Sequence, residues 1–315
     1  MPAPKLVKLS APPSPIEKLV DDYLASCRAG GLSPKTIRFS YGYPLSSVFL
    51  PWCADEGIKD VSEINNRRLD SLSARLQDTG HKRAELSKAT VWTYMKAINR
   101  FLAWAKEEGE AVDAKGRVPK LQRKVIQVLS REEIDAMEHA AATERDAIIV
   151  RLLADTGIRV GELAALRTND LIERSRQHLL RIRGKGGTER LVPILPALFR
   201  RLQRYATNKR PADATGNRLF ISSRRSRAGM YEPMTESGVG QMIRDVAERA
   251  GIERRVHPHL FRHSAATYYL QRGMDSLLVA QLLGHTSLAM IQRVYSHLNT
   301  TDVQEALLRA LTRET

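Results

Sequence analysis

The sequence predicts a mainly α-helical chain with a small antiparallel β-sheet, divided into an N-terminal helical domain and a C-terminal α+β domain. Three observations carry this. Apolar residues recur at helical spacing through most of the chain, as in Ile16, Leu19, Val20, Tyr23 and Leu24, or Val91, Tyr94, Met95, Ile98, Phe101, Leu102 and Ala105. The runs "HLLRIRG" and "RLVPIL", joined by "KGGTE", alternate as a β-hairpin would. Residues 110–127, "EAVDAKGRVPKLQRKVIQ", hold Gly, Pro and five basic residues without a sustained period, as a linker does. The 315 residues suit two domains of about 100–200 residues each.

Residues 1–15 are proline-rich and read as a flexible tail. The first domain, 16–109, opens with a helix that Ser14 caps, with Pro15 at its first position and Gly30–Gly31 at its end. "LSPKTIRFSYGYPLSSVFLPWCADEGI" starts a second helix at Ser33–Pro34, which Gly42 and Pro44 should interrupt or kink. "SEINNRRLDSLSARLQDTG" and "SKATVWTYMKAINRFLAWAKEEG" supply two more.

The second domain, 128–315, begins with a capping box, Ser130 and Glu133, ahead of Ile134, Met137 and Ala141. The helix "ERDAIIVRLLADTG" stops at Gly157, and "IRVGELAALRTNDL" starts another. After the hairpin come the helix "PALFRRLQRYATNKR" and "RLFISSRRSRAG", a short strand leading to a loop with Arg224, Arg225 and Arg227. Three further helical segments follow. "TTDVQEALLRAL" closes the chain with a helix over 302–312, whose Val303, Ala306, Leu307, Ala310 and Leu311 form one apolar stripe.

Fifty Lys+Arg against 35 Asp+Glu leave +15, split as +7 before residue 128 and +8 from there on. Such a field attracts polyanions, and two basic domains favour a clamp on DNA. Lys120, Arg123 and Lys124 in the linker, with Arg224, Arg225 and Arg227, are the candidate phosphate contacts. No apolar run approaches the ~18 residues of a membrane span, and the N-terminus lacks an apolar h-region, so no membrane partner is expected. Cys27 and Cys53 are too few for a disulfide framework, which fits a reducing cytoplasm.

Five of the eight histidines crowd into 257–297. His259 and His263, four apart, share a helix face and could hold a metal or fill a core. Leu260 stands where an H-E-x-x-H zinc motif has its glutamate, so no metal is assigned. From residue 128 onward, 27 of the 29 basic residues are arginine, and only Lys185 and Lys209 are lysine. Lys185, at the hairpin tip, reads either as a solvated turn residue or as a general acid, since an ammonium gives up its proton and a guanidinium does not. A phosphate-binding G-x-x-x-x-G-K loop would need glycine where Leu179 stands, so no nucleotide cofactor is implied.

"DTGIRVGELAALR" (155–167), "GKGGTERLVPI" (184–194), "HLFRH" (259–263), "LLGHTSL" (282–288) and "VYSH" (294–297) resemble, in order and approximate spacing, the tyrosine recombinases of the phage-integrase family, Cre-like and Xer-like. "GLSPKTIR" resembles that family's helical core-binding domain, although "YGYP" departs from its uninterrupted helix. Phe261 replaces a frequent leucine.

The resemblance implies a site-specific recombinase that cleaves and rejoins DNA through a 3′-phosphotyrosine and a Holliday junction, without metal or ATP. It implies that Arg159 and Arg262 clamp the scissile phosphate, Tyr295 attacks it, Lys185 protonates the leaving 5′-oxygen, His259 transfers a proton and His285 hydrogen-bonds the phosphate. Glu162 is expected to brace Arg159, with His263 as support and His257 structural. Individually, Arg159 could be a surface pair to Glu162, His285 a helix cap and Tyr295 a core aromatic. The ordered set favours the chemistry. The resemblance further implies a homotetramer on a double-stranded recombination site, linked by the C-terminal helix, with room for a second recombinase in the synapse. It suggests a bacterial or phage cytoplasmic setting at the nucleoid. A type IB topoisomerase-like activity and a catalytically silent DNA-binding protein are the alternatives.

Overall fold

The computed structural model describes residues 14–80, 85–121, 127–184, 187–214 and 216–284. The chain forms two compact units, Met1–Lys124 and Val125–Thr315.

In the first unit, α1 (Pro15–Ala29) starts at a capping box in which the Glu17 amide donates to Ser14 Oγ and the Ser14 amide to the Glu17 carboxylate. Its Ile16, Val20, Tyr23 and Cys27 are buried. The α-helical pattern is interrupted around Gly42 and Pro44, as expected, but by π-turns rather than by a break in the helix. Helical backbone runs without a break from α2 (Pro34–Thr36) to α3 (Leu50–Asp55), through π-helical turns at Ile37–Gly42 and Leu45–Phe49. A π-turn bonds each amide five residues back, as Tyr43 N–H does to Arg38 O and Leu50 N–H to Leu45 O. Shifting the ladder by one residue accommodates a proline that an α-helical interior would expel. The helices α4 (Asn66–Asp78) and α5 (Lys88–Glu107) complete the unit. Phe101 of α5 centres an aromatic cluster, 5.6 Å from the Tyr23 ring and 5.7 Å from Phe49.

The start of the stretch read as a linker lies against this unit. Val112 is buried in its core, Asn99 exchanges two hydrogen bonds with the Gly116 backbone (2.8 and 2.9 Å), and the amides of Lys115 and Arg117 donate to Asn66 and Asp70.

The second unit is built around α7 (Glu144–Thr156), buried on all sides through Ala147–Val150 and Leu152–Ala154. Packed on it are α6 (Arg131–His139), α9 (Pro196–Arg204) and α11 (Pro258–Gln271), and α10 (Glu236–Arg249) packs on α6 and α11. The sheet has three antiparallel strands: β1 (Leu171–Arg174), β2 (Gln177–Arg183) and β3 (Glu189–Pro193). Thus the expected hairpin is β2–β3, and β1 is an unforeseen third strand. It turns into β2 through Ser175 and Arg176, both at positive φ (43° and 71°).

A second, two-stranded sheet pairs β4 (Ile221–Arg225) with β5 (Tyr231–Pro233). Arg224 and Arg225 therefore lie in a strand rather than in the loop read from sequence; only Arg227 is in the turn beyond it. Short α8 (Val160–Ala165) and α12 (Ser276–Leu283) flank the site described next. The C-terminal helix expected at 302–312 lies outside the described residues.

Candidate active site

The site is assembled where α7 ends. Gly157 caps that helix in the left-handed conformation, φ 59°. A Cβ there would stand 2.3 Å from Leu283 Cδ2 and 3.2 Å from Ala265 Cβ. Only glycine supplies both the dihedral and the closeness with which α11 and α12 approach. Its carbonyl then accepts a 2.7 Å hydrogen bond from Arg262 Nη1 on α11.

Two residues on, Arg159 caps α8, and Glu162, three residues along, returns to it. The Arg159 amide donates to Glu162 Oε2 (2.8 Å) and Arg159 Nη1 to Oε1 (2.9 Å). One carboxylate thereby fixes both the backbone and the side chain of Arg159. Arg159 Nη2 donates to the Gly284 carbonyl at 3.1 Å.

A residue not foreseen from sequence completes the arrangement. Arg190 on β3 forks onto the same carboxylate, Nη1 to Oε1 and Nη2 to Oε2, each at 2.9 Å. Its Nε donates to Leu282 O at 3.4 Å. Arg190 lies within "TERLVPI", but Glu162 is 28 positions away, and no periodicity announces that pairing.

Electrostatics follow from this crowding. Glu162 is 7% exposed. Burial pushes its carboxyl up, and hydrogen bonds from Arg190 and the Arg159 backbone, with the Arg190 charge, more than reverse this, holding it below the ordinary glutamate range. Arg262 is 5% exposed, and its Nη2 is buried with no hydrogen-bond partner among the described residues. Burial first, then the charges of Arg159 and Arg190, lower its guanidinium to about 10 against the opposing pull of Glu162. Two guanidinium groups, of Arg159 and Arg190, bond the one Glu162 carboxylate, and the buried Arg262 lies near enough to feel all three charges, so positive charge exceeds negative where Arg262 is poorly screened.

An open cavity of about 920 Å³ adjoins the cluster. Arg159, Glu162, Arg190, His259, Gln281 and Gly284 are among its lining, and so are Arg183, Glu189 and Glu236. Arg183 is paired with Asp170 (2.6 Å) and Glu189 (3.2 Å). His259 lies one turn before Arg262 on α11, its ring 6.4 Å from that of His257. Burial, then His259 and Arg255, lowers the His257 pKa. His263 is half-buried on the same helix.

The structure thus brings together Arg159, Glu162, His259 and Arg262, with Arg190 added. Lys185, His285 and Tyr295 lie outside the described residues, although Gly184 lines the cavity and Gly284 is bonded to Arg159. Arg224, Arg225 and Arg227 do not line it. Arg225 pairs with Asp213 at 2.7 Å and stacks on Tyr231, while Arg224 and Arg227 are exposed. Lys120 is exposed in the first unit; Arg123 and Lys124 are outside the described residues. Among the described residues no three His, Cys, Asp or Glu side chains group as a metal site, and no helix is long and apolar enough to cross a membrane.

Residues 127–302 match the profile of the phage integrase family. The tyrosine recombinase XerA of Pyrococcus furiosus is 31% identical over 296 residues, covering 93% of this chain and 94% of the relative. Among solved structures, that of a XerA recombinase aligns at 27% identity over 94% of this chain and 98% of that one, with a TM-score of 0.51. A XerH site-specific recombinase, described as bound to a palindromic difH substrate in a post-cleavage complex, shares the fold with a TM-score of 0.70 at 20% identity, covering 91% and 83%.

Proposed function

This chain belongs to the phage integrase family of tyrosine recombinases, enzymes of site-specific DNA recombination, and from that premise we propose that the arginine cluster on Glu162 is its phosphate-binding centre. The observation that carries the proposal is Arg262, a buried guanidinium with an unpartnered Nη2 among the described residues, held beside Arg159 and Arg190. Placing cations together in a poorly solvated site is costly unless an anion joins them. A phosphodiester is that anion.

In this reading, Arg159 and Arg262 hold the two non-bridging oxygens and neutralise the charge that grows at a pentacoordinate phosphorus. The Tyr295 oxygen attacks phosphorus as its proton passes to a base, the role assigned to His259. A P–O bond to tyrosine forms, the P–O5′ bond breaks, and Lys185 gives its proton to the departing 5′-oxygen. His285 donates to the phosphate. His263 supports this cluster from α11, and Glu162 keeps Arg159 aimed. One ester replaces another, so the bond energy is retained in the 3′-phosphotyrosine, and a 5′-hydroxyl from the partner strand reverses the step through a Holliday junction.

The partner in this reading is a double-stranded recombination site; the XerH site-specific recombinase is described as bound to a palindromic difH substrate. Lys120, Arg123, Lys124, Arg224, Arg225 and Arg227 are assigned to the phosphate backbone, where they add affinity and salt dependence. Four protomers act together, each lending helix 302–312 to a neighbour, and a second recombinase is compatible with the same synapse. The setting is the cytoplasm of a bacterium or phage host, at the nucleoid. The proposed domain division is a tail (1–15), a core-binding domain (16–109), a linker (110–127) whose first part packs on that domain, and a catalytic domain (128–315).

The test is a duplex of the recombination site nicked beside the cleavage position, so that a short fragment diffuses away and religation fails. The proposal expects a denaturation-resistant protein–DNA adduct in EDTA, absent in Tyr295→Phe. Retarded complexes without adduct would leave a silent binder. Relaxation of supercoils without strand exchange would point to the topoisomerase-like alternative.

A further inference from the structure

We propose that Arg190 is a positioning residue for the cleavage reaction, setting the aim of Arg159 through their shared carboxylate and fixing the chain where it leaves α12. The inference rests on the reading of Arg159 as a phosphate clamp.

Three contacts carry it. The Arg190 fork takes both oxygens of Glu162 at 2.9 Å, and Arg159 Nη1 takes Oε1 at the same distance, so Arg159 and Arg190 read each other's placement through one rigid carboxylate. The Arg190 side chain is 18% exposed, which limits how far water can replace a lost contact. The third contact lies at the end of α12. Arg190 Nε reaches Leu282 O, and a Cβ on Gly284 would stand 2.7 Å from the Arg190 guanidinium. Gly284 adopts φ 67°, a left-handed cap that turns the chain directly over the guanidinium plane. Its carbonyl receives Arg159 Nη2.

A closed loop results: Arg190 to Glu162, Glu162 to Arg159, Arg159 to Gly284, and Gly284 against Arg190. The next residue is His285. Arg190 therefore ties a clamp arginine to the point after which His285 and Tyr295 follow in sequence. A lysine here could supply charge but could not fork onto the carboxylate and reach Leu282 O at once.

The experiment compares cleavage of two nicked duplexes by the full-length protein, one with an ordinary scissile phosphate and one with a methylphosphonate there. The methylphosphonate is uncharged, so its attack depends less on a correctly aimed cation. With the phosphate, Arg190→Gln and Arg190→Lys should each cleave about 100-fold more slowly than wild type, the scale of a catalytic group displaced by ~1 Å. With the methylphosphonate, both should fall within about 10-fold of wild type if the defect is one of charge placement. Combining Arg190→Gln with Glu162→Gln should cost little more than either alone, because both break one chain of contacts.

Equal losses on both substrates would mean that Arg190 only supports the fold, and unchanged cleavage of the phosphate would mean that it contributes nothing. Either overturns the inference. Should Arg190→Gln fail to fold, Arg190→Lys gives the same comparison. Absence of any adduct with the wild-type protein would instead bring down the functional reading on which the inference stands, and the inference with it.

Discussion

Replacing Arg262 with methionine should make the DNA-free protein more stable while abolishing cleavage. Burial and the neighbouring Arg159 and Arg190 bring the guanidinium from its usual range to about 10, which corresponds to roughly 3 kcal/mol by which folding disfavours its charged form. Against this stands the 2.7 Å hydrogen bond to Gly157 O, and a charged hydrogen bond contributes about 1.5–3 kcal/mol. The difference leaves a net gain of about 1 kcal/mol for Arg262→Met, whose side chain fills similar space without a charge. The sign over pH is definite: a base with a depressed value carries its cost at every pH below about 10, and only a rise through that value relieves it, so measurements at pH 7 sample the whole effect. Urea unfolding followed by far-UV circular dichroism reports on both units. Trp52, Trp92 and Trp104 all lie before residue 125, so tryptophan fluorescence follows the first unit alone and serves as the control that should not move. Destabilisation of the second unit by about 1 kcal/mol or more would refute the reasoning, since it would mean the buried charge is already well compensated without DNA.

Three other outcomes follow from the same structure. Gly157→Ala places a Cβ 2.3 Å from Leu283 Cδ2 at a left-handed position, and calorimetry should show a loss of about 2–4 kcal/mol from dihedral strain and overpacking. Ser264→Ala removes the acceptor of the buried Leu129 amide (2.7 Å) and should cost about 1–3 kcal/mol in urea titration. Glu162 has a lowered carboxyl, so its contribution to stability is whole above the ordinary glutamate range and is lost as pH falls through the lowered value. Wild type minus Glu162→Gln should therefore show a stability difference that shrinks on acidification, measured by thermal melts from pH 7 downward.

Much of this architecture was legible because local rules governed it. The Ser14 cap, the Ser130 capping box and the stripe Val91–Ala105 follow from spacing alone, and the structure contains them. Where the reading departed, a non-local or unusual backbone term prevailed. Around Pro44 the α-helical pattern is interrupted as read, but the form of the interruption, π-turns that keep the backbone helical, is not one that spacing announces. Strand β1 leaves little trace in the sequence, because "LIER" is four residues long and its turn uses Ser175 and Arg176 at positive φ instead of Gly or Asn. In the site, Arg159, Glu162, His259 and Arg262 were readable as motifs. Arg190 was not: its partners lie 28 positions before and 92 positions after it, and only the fold brings them together.

The central claim is that an aromatic oxygen at position 295 displaces a sugar oxygen at a phosphate held by the arginine cluster. Its most direct test is to digest the trapped protein–DNA adduct with trypsin and nuclease and locate the modified residue by mass spectrometry, reading the polarity of the released strand alongside. Tyr295 should carry a nucleotide joined through its 3′-phosphate, with a free 5′-hydroxyl on the partner fragment. A nucleotide on any other side chain, or a linkage through the 5′-phosphate, would contradict the claim.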